Sequence, residues 1–187
     1  QRTGEGFEYT WALNYLSQYL TTRLLLEPLR RAAHEHGSAR VIGITSNMYR
    51  FSKAVFPPQN TAHRFNGVSA YASSKRAMNV FTCDMADRYQ GTGLTFNAIT
   101  PGFVATGVAS NNPGWGNLAM RILNRFATPL DKGVQPIVHL ATAPELRDVS
   151  GQYFVKFQQR APDASCRNPS VRQQLWQISS AMTDLPV

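Results

Sequence analysis

Two short runs rich in β-branched and apolar residues, Val41-Ile42-Gly43-Ile44 and Leu94 to Ile99, each follow a long segment of helical period. This alternation restricts the chain more than any other feature. A strand that is apolar throughout is buried on both faces, and the helices of parallel crossovers are what bury it. The first helical segment runs from about Phe7 to His34, with Leu13, Leu16, Leu20 and Leu24 at three- and four-residue steps and a stop at Gly37. Its apolar face is wider than one stripe, so part of it packs on something besides its own sheet. A second helix, from Ala70 to Tyr89, starts from Ser69 as N-cap and stops at Gly91 and Gly93. Three parallel strands are therefore predicted near 40–46, 94–100 and 151–156, with a further helix near Asp131 to Thr142 and helices on both faces of the sheet. In such sheets ligands gather at the carboxyl ends of the strands.

With 187 residues the chain reads as one domain, 1–187, ending in a polar C-terminal tail over 158–187. Apolar residues make up 43% and charged residues 16%, which excludes disorder as a global state. No apolar stretch reaches the ~20 residues of a membrane span, and QRTGEGFEYT at the start lacks the layout of a signal peptide. The expectation is a cytoplasmic protein without a membrane span. The net charge of +8 is scattered, with no basic run and no zinc-finger spacing, so a nucleic-acid partner is not predicted. Cys83 and Cys166 are too few for a disulfide framework, and the four histidines show no metal-ligand grouping, so no metal is expected.

Chemistry-bearing residues fall at the predicted strand ends. Ser46 closes the first strand, Tyr71 and Lys75 lie four apart at the start of the following helix, and Thr100-Pro101-Gly102 closes the next strand. The i, i+4 spacing sets the ammonium beside the phenol on one helix face. A positive neighbour favours the phenolate, so such a tyrosine can exchange a proton with a substrate. The pair alone is weak evidence, since a packed tyrosine beside a solvated lysine is common. Ser46, likewise, could simply cap a helix.

In this order the motifs resemble those of the short-chain dehydrogenase/reductase family. The matching segments are Leu13-Asn14-Tyr15-Leu16-Ser17, Arg40 to Ser46, Tyr71-Ala72-Ser73-Ser74-Lys75, and Asn97 to Thr106 with its Pro101-Gly102 pair. The long loop after Ser46 and the segment Gly151 to Val155 look closest to the retinol-dehydrogenase-like and protochlorophyllide-reductase-like branches, which favour lipophilic carbonyls or alcohols. The resemblance implies an α/β, partial Rossmann-like (doubly wound) fold with about three parallel strands and flanking helices. It also implies that Tyr71 exchanges the substrate proton, Lys75 assists it and holds the nicotinamide ribose, Ser46 steadies the substrate oxygen and Asn14 anchors a water relay. Pro101, Gly102, Val104 and Thr106 would hold the nicotinamide ring. NADP or NAD is the cofactor expected for a full-length parent, and the helices near 7–34 and 69–90 are the expected homodimer interface.

The glycine-rich phosphate turn of that family has no counterpart here, because Gly4 and Gly6 follow no strand. Two alternatives to the oxidoreductase consequently stay open from sequence. One is a shortened acid-base enzyme (isomerase, lyase or cyclase) that needs no cofactor, and the other is a non-catalytic dimerisation module.

Overall fold

A computed structural model describes residues 1–56, 66–102 and 128–186. The N-terminal residues form a small turn in which Thr3 N–H donates to the Phe7 carbonyl over 2.9 Å, with Gly6 at φ +87°. Gly4 and Gly6 thus close a tight reversal and do not link a strand to a helix N-terminus.

The predicted first helix is present in three pieces. Glu8 caps α1 (Tyr9–Trp11), its carboxylate accepting from Thr10 N–H and Trp11 N–H at 3.0 and 2.7 Å. A π-turn over Ala12–Leu16 follows, then α2 (Ser17–Leu24) and α3 (Leu26–His36). The break at Leu25 (φ −92°, ψ 0°) has a visible cause in Pro28, which has no N–H for the Leu24 carbonyl and whose ring crowds it. Gly37, in the left-handed conformation at φ +76°, ends α3 where the sequence placed the stop.

Strand β1 (Ala39–Ile44) pairs in parallel with β2 (Leu94–Thr100), Ala39 facing Leu94 and Ile44 facing Ile99. Between them runs α4 (Gly67–Arg88), whose N-cap is Asn66 and not Ser69: the Asn66 side chain accepts from Val68 N–H and Ser69 N–H at 3.0 and 3.2 Å. Small side chains (Ala70, Ala72, Ser73, Ser74, Ala77) let α4 lie deep in the molecule, buried on most of its circumference.

Helix α5 (Leu130–Thr142) leads to β3 (Tyr153–Val155), parallel to β2, and a two-residue turn at Lys156-Phe157 returns the chain as β4 (Gln158–Arg160), antiparallel to β3. The three expected parallel strands are present, and β4 is an addition. Its Gln-Gln-Arg sequence is exposed and carries no apolar alternation, so only the pairing with β3 makes it a strand.

Residues 158–187, read as a tail, carry more structure than that word implies. Asn168 caps α6 (Pro169–Thr183), accepting from Ser170 N–H and Val171 N–H, and Leu175 and Trp176 of this helix are buried in the main core.

The sheet is covered on both faces. Leu94, Phe96 and Val41 face the aromatic core of Trp11, Tyr15, Tyr19, Phe81 and Trp176, whereas Ile42, Ile99 and Phe154 pack with Ile137 and Leu140 of α5. The rings of Tyr19 and Phe81 lie 5.4 Å apart, which places the first helical segment beside α4 as expected. Its surplus apolar width is taken up in part by α6 of the same chain: Tyr15 and Tyr19 bond Ser179 and Ser180 at 2.8 and 2.7 Å. Leu13, Leu24 and Leu25 of the same segment stay exposed. Among the described residues no helix is long and apolar enough to cross a membrane.

Candidate active site

The carboxyl ends of β1, β2 and β3 form one rim, and the sequence-predicted residues of the described segments gather along it. Helix α4 is fastened to the end of β1 twice through one residue. The Lys75 ammonium donates to the Ile44 carbonyl at 3.1 Å, and the Thr45 hydroxyl donates to the Lys75 carbonyl at 3.1 Å. One turn earlier on the helix stands Tyr71, its ring centroid 5.5 Å from the Lys75 nitrogen. Among the described residues the Tyr71 hydroxyl makes no hydrogen bond, so it is available to an incoming group.

Burial lowers the affinity of the Lys75 ammonium for its proton below the ordinary lysine value. In the interval between that lowered value and the unfolded ~10.4, the unfolded chain binds more protons, so stability rises with pH there. The cost is complete below the folded-state value and vanishes above the unfolded one. Relative to Lys75→Met, which carries no such cost, the native protein should therefore gain stability as pH rises from 7 toward ~10.4. Thermal melts of both proteins across that range are the check, and a gap that stays constant or widens against the native protein would contradict it.

Ser46 follows β1 in extended backbone, and its hydroxyl oxygen accepts from Met48 N–H at 3.3 Å, capping a short 3₁₀ turn over Asn47–Phe51. It is a cap, as one sequence reading had it. The bond uses its oxygen as acceptor, and among the described residues no group takes its proton.

Asn14 lies within the π-turn, a distortion common at functional sites. Its amide donates to the Ser74 hydroxyl at 3.1 Å, and Ser74 in turn donates to the Tyr71 carbonyl at 2.7 Å. The residue therefore braces the turn of α4 that carries Tyr71 and Lys75.

Beyond Thr100, Pro101 and Gly102 turn away from β2. Gly102 adopts φ +95°, a conformation that favours glycine, and a Cβ there would meet only the flexible end of the Lys156 side chain. Val104 and Thr106 lie outside the described residues.

Sequence reasoning missed Thr45 and Ser74. Thr45 sits between the strand and Ser46, where a β-branched residue looks like one more strand position, and Ser74 lies within the Tyr71 to Lys75 signature as an apparent spacer.

A doubly wound sheet with a tyrosine–lysine pair on the helix that follows its serine-ended strand defines the class of α/β proteins to which this chain compares. The short chain dehydrogenase profile matches residues 2–115. Retinol dehydrogenase 14 of Mus musculus is 31% identical over 189 residues, covering 98% of this chain and 55% of that protein. Polyprenol dehydrogenase of Homo sapiens is 31% identical over 187 residues, covering 98% of this chain and 56% of that protein. Among solved structures, an uncharacterized protein from Mycobacterium paratuberculosis superimposes with a TM-score of 0.69 at 21% identity, over 99% of this chain and 63% of that one. The NADPH-bound carbonyl reductase from chicken fatty liver gives 0.57 at 19% identity, over 86% and 61%. At those identities the structures speak for the fold.

The chain belongs to the short-chain dehydrogenase family, with retinol dehydrogenases among its relatives. It spans about 55% of the length of the curated relatives it matches.

Proposed function

We propose that this chain forms the proton-transfer side of an oxidoreductase that interconverts a lipophilic alcohol and its carbonyl with NADP or NAD. The observation that carries the reading is the Tyr71–Lys75 pair, locked to the end of β1 through Ile44 and Thr45 with the tyrosine hydroxyl uncommitted. The retinol and polyprenol in the names of its relatives support a lipophilic substrate.

The nicotinamide cofactor, when bound, supplies or accepts the hydride. On this reading Tyr71 delivers the proton to the substrate oxygen during reduction and removes it during oxidation. Lys75, while cationic beside it, stabilises negative charge on the phenol as the proton leaves. Ser46, with its hydroxyl proton free, donates to the same oxygen as charge accumulates there. Gly102, with no side chain, gives the close approach that a flat ring requires, and Lys75 reaches the ribose.

The residues present suit the ring and ribose of the dinucleotide. Among the described residues no strand, glycine turn and helix N-terminus combine into a pyrophosphate site, and that site supplies most of the affinity in such folds. Calorimetry on the 187-residue chain is consequently expected to show NADP binding no tighter than about millimolar, near −4 kcal/mol. Retinaldehyde reduction, followed by loss of NADPH absorbance at saturating cofactor, tests the activity directly. No retinol formed and no NADPH consumed at any cofactor concentration would overturn the proposal.

A further inference from the structure

A buried tyrosine outside the Tyr71–Lys75 pair links two of the strand ends on which the proposed site is built. Tyr153, on β3, is 1% exposed, and its ring stands edge-on to Tyr49 at 5.5 Å while packing against Ala98. Its hydroxyl donates to the Asn47 side-chain oxygen at 2.6 Å. A phenol has one proton, so the contact of 2.7 Å between that hydroxyl and Thr100 must be a donation from Thr100. A directed chain, Thr100 to Tyr153 to Asn47, therefore crosses the carboxyl rim. One end sits immediately before Pro101-Gly102 and the other immediately after Ser46. Burial raises the phenol above its ordinary value, which keeps the donated proton in place.

The arrangement suits positioning better than mere packing. Asn47 is exposed at the start of a 3₁₀ segment whose Tyr49 is buried, and β3 is held in register with β2 through Ala98 facing Tyr153 and Thr100 facing Val155. Lys156 N–H, donating to the Thr100 carbonyl at 2.9 Å, holds the same corner from the backbone. The tyrosine thus transfers the rigidity of the sheet to the loop that bears Ser46.

We infer that Tyr153 is a positioning residue that sets Ser46 and the Pro101-Gly102 turn relative to each other through Asn47 and Thr100. The inference rests on the oxidoreductase reading for its catalytic consequence and on geometry alone for the tether. Tyr153→Phe keeps the ring and its packing but deletes both hydrogen bonds, and Asn47→Ala deletes one of them from the other side.

The test combines amide hydrogen exchange of the 187-residue chain with retinaldehyde reduction by NADPH. Tyr153→Phe should speed exchange across residues 45–52 at least several-fold while the melting temperature stays within a few degrees. It should lower kcat by about tenfold or more with the substrate KM within twofold, since a displaced Ser46 costs the reaction and not the binding. Asn47→Ala should reproduce the kcat loss, and the double variant should be no slower than either single one, because all three break one tether.

Unaltered exchange at 45–52 in Tyr153→Phe overturns the tether whatever the activity. Faster exchange with unaltered kcat overturns the positioning role and leaves a structural one. If the unaltered protein itself shows no turnover, the oxidoreductase reading fails together with the catalytic consequence, and the exchange measurement still decides the tether.

Discussion

Replacing Tyr71 by Phe is expected to lower turnover by 10²- to 10⁴-fold, roughly the range of a lost general acid or base. The fold should be indifferent to the change. The Tyr71 hydroxyl makes no hydrogen bond among the described residues, and the ring, half-buried beside the Lys75 ammonium, is preserved in phenylalanine. Retinaldehyde reduction by NADPH, measured with the melting temperature of the same preparation, checks both halves. Turnover near that of the unaltered protein in Tyr71→Phe would remove Tyr71 from the reaction. A large fall in melting temperature would instead show that the hydroxyl serves the fold.

Trp176→Ala should be a strongly damaging truncation outside the site. Trp176 lies on α6, 8% exposed, edge-on to Tyr19 at 5.5 Å, with the guanidinium groups of Arg23 and Arg88 stacked at 4.4 and 3.9 Å from its ring. Its loss leaves a cavity in the aromatic core and takes the ring from Arg88, while Arg23 keeps Tyr19. Large-to-small changes of this kind cost about 3–5 kcal/mol, a fall in melting temperature of roughly 10 °C for a chain of this length. Calorimetry or circular dichroism melts provide the measurement. A loss under about 1 kcal/mol would mean that α6 adds little to the core, and would return residues 158–187 to the status of a tail.

The two experiments probe parts of the molecule that were unequally visible in the amino-acid order. Leu94–Thr100 was recognisable because a short run rich in apolar and β-branched residues is closed abruptly by Pro101-Gly102. Tyr71 and Lys75 were recognisable because helical spacing alone sets them on one face. The stop at Gly37 rests on a local requirement, a left-handed backbone, that glycine meets at least cost. Even the break at Leu25 was written in Pro28, although the leucine period runs through it.

Other features depend on what lies opposite in space. Asn66 and Ser69 are both good caps, and the role falls to Asn66, whose side chain reaches the amides of Val68 and Ser69. Gln158–Arg160 has no strand character until Tyr153–Val155 offers it a partner. Ser179 and Ser180 look like surface residues in the sequence, yet they satisfy the buried hydroxyls of Tyr15 and Tyr19 more than 160 positions away. The bridge from Thr100 through Tyr153 to Asn47 likewise joins three segments that share no local pattern. Periodicity and turn chemistry are local, so they record which face of an element is apolar and where it must end. Which element covers that face, and which buried hydroxyl meets which acceptor, is settled by contacts between distant residues, and these form only when the whole chain packs.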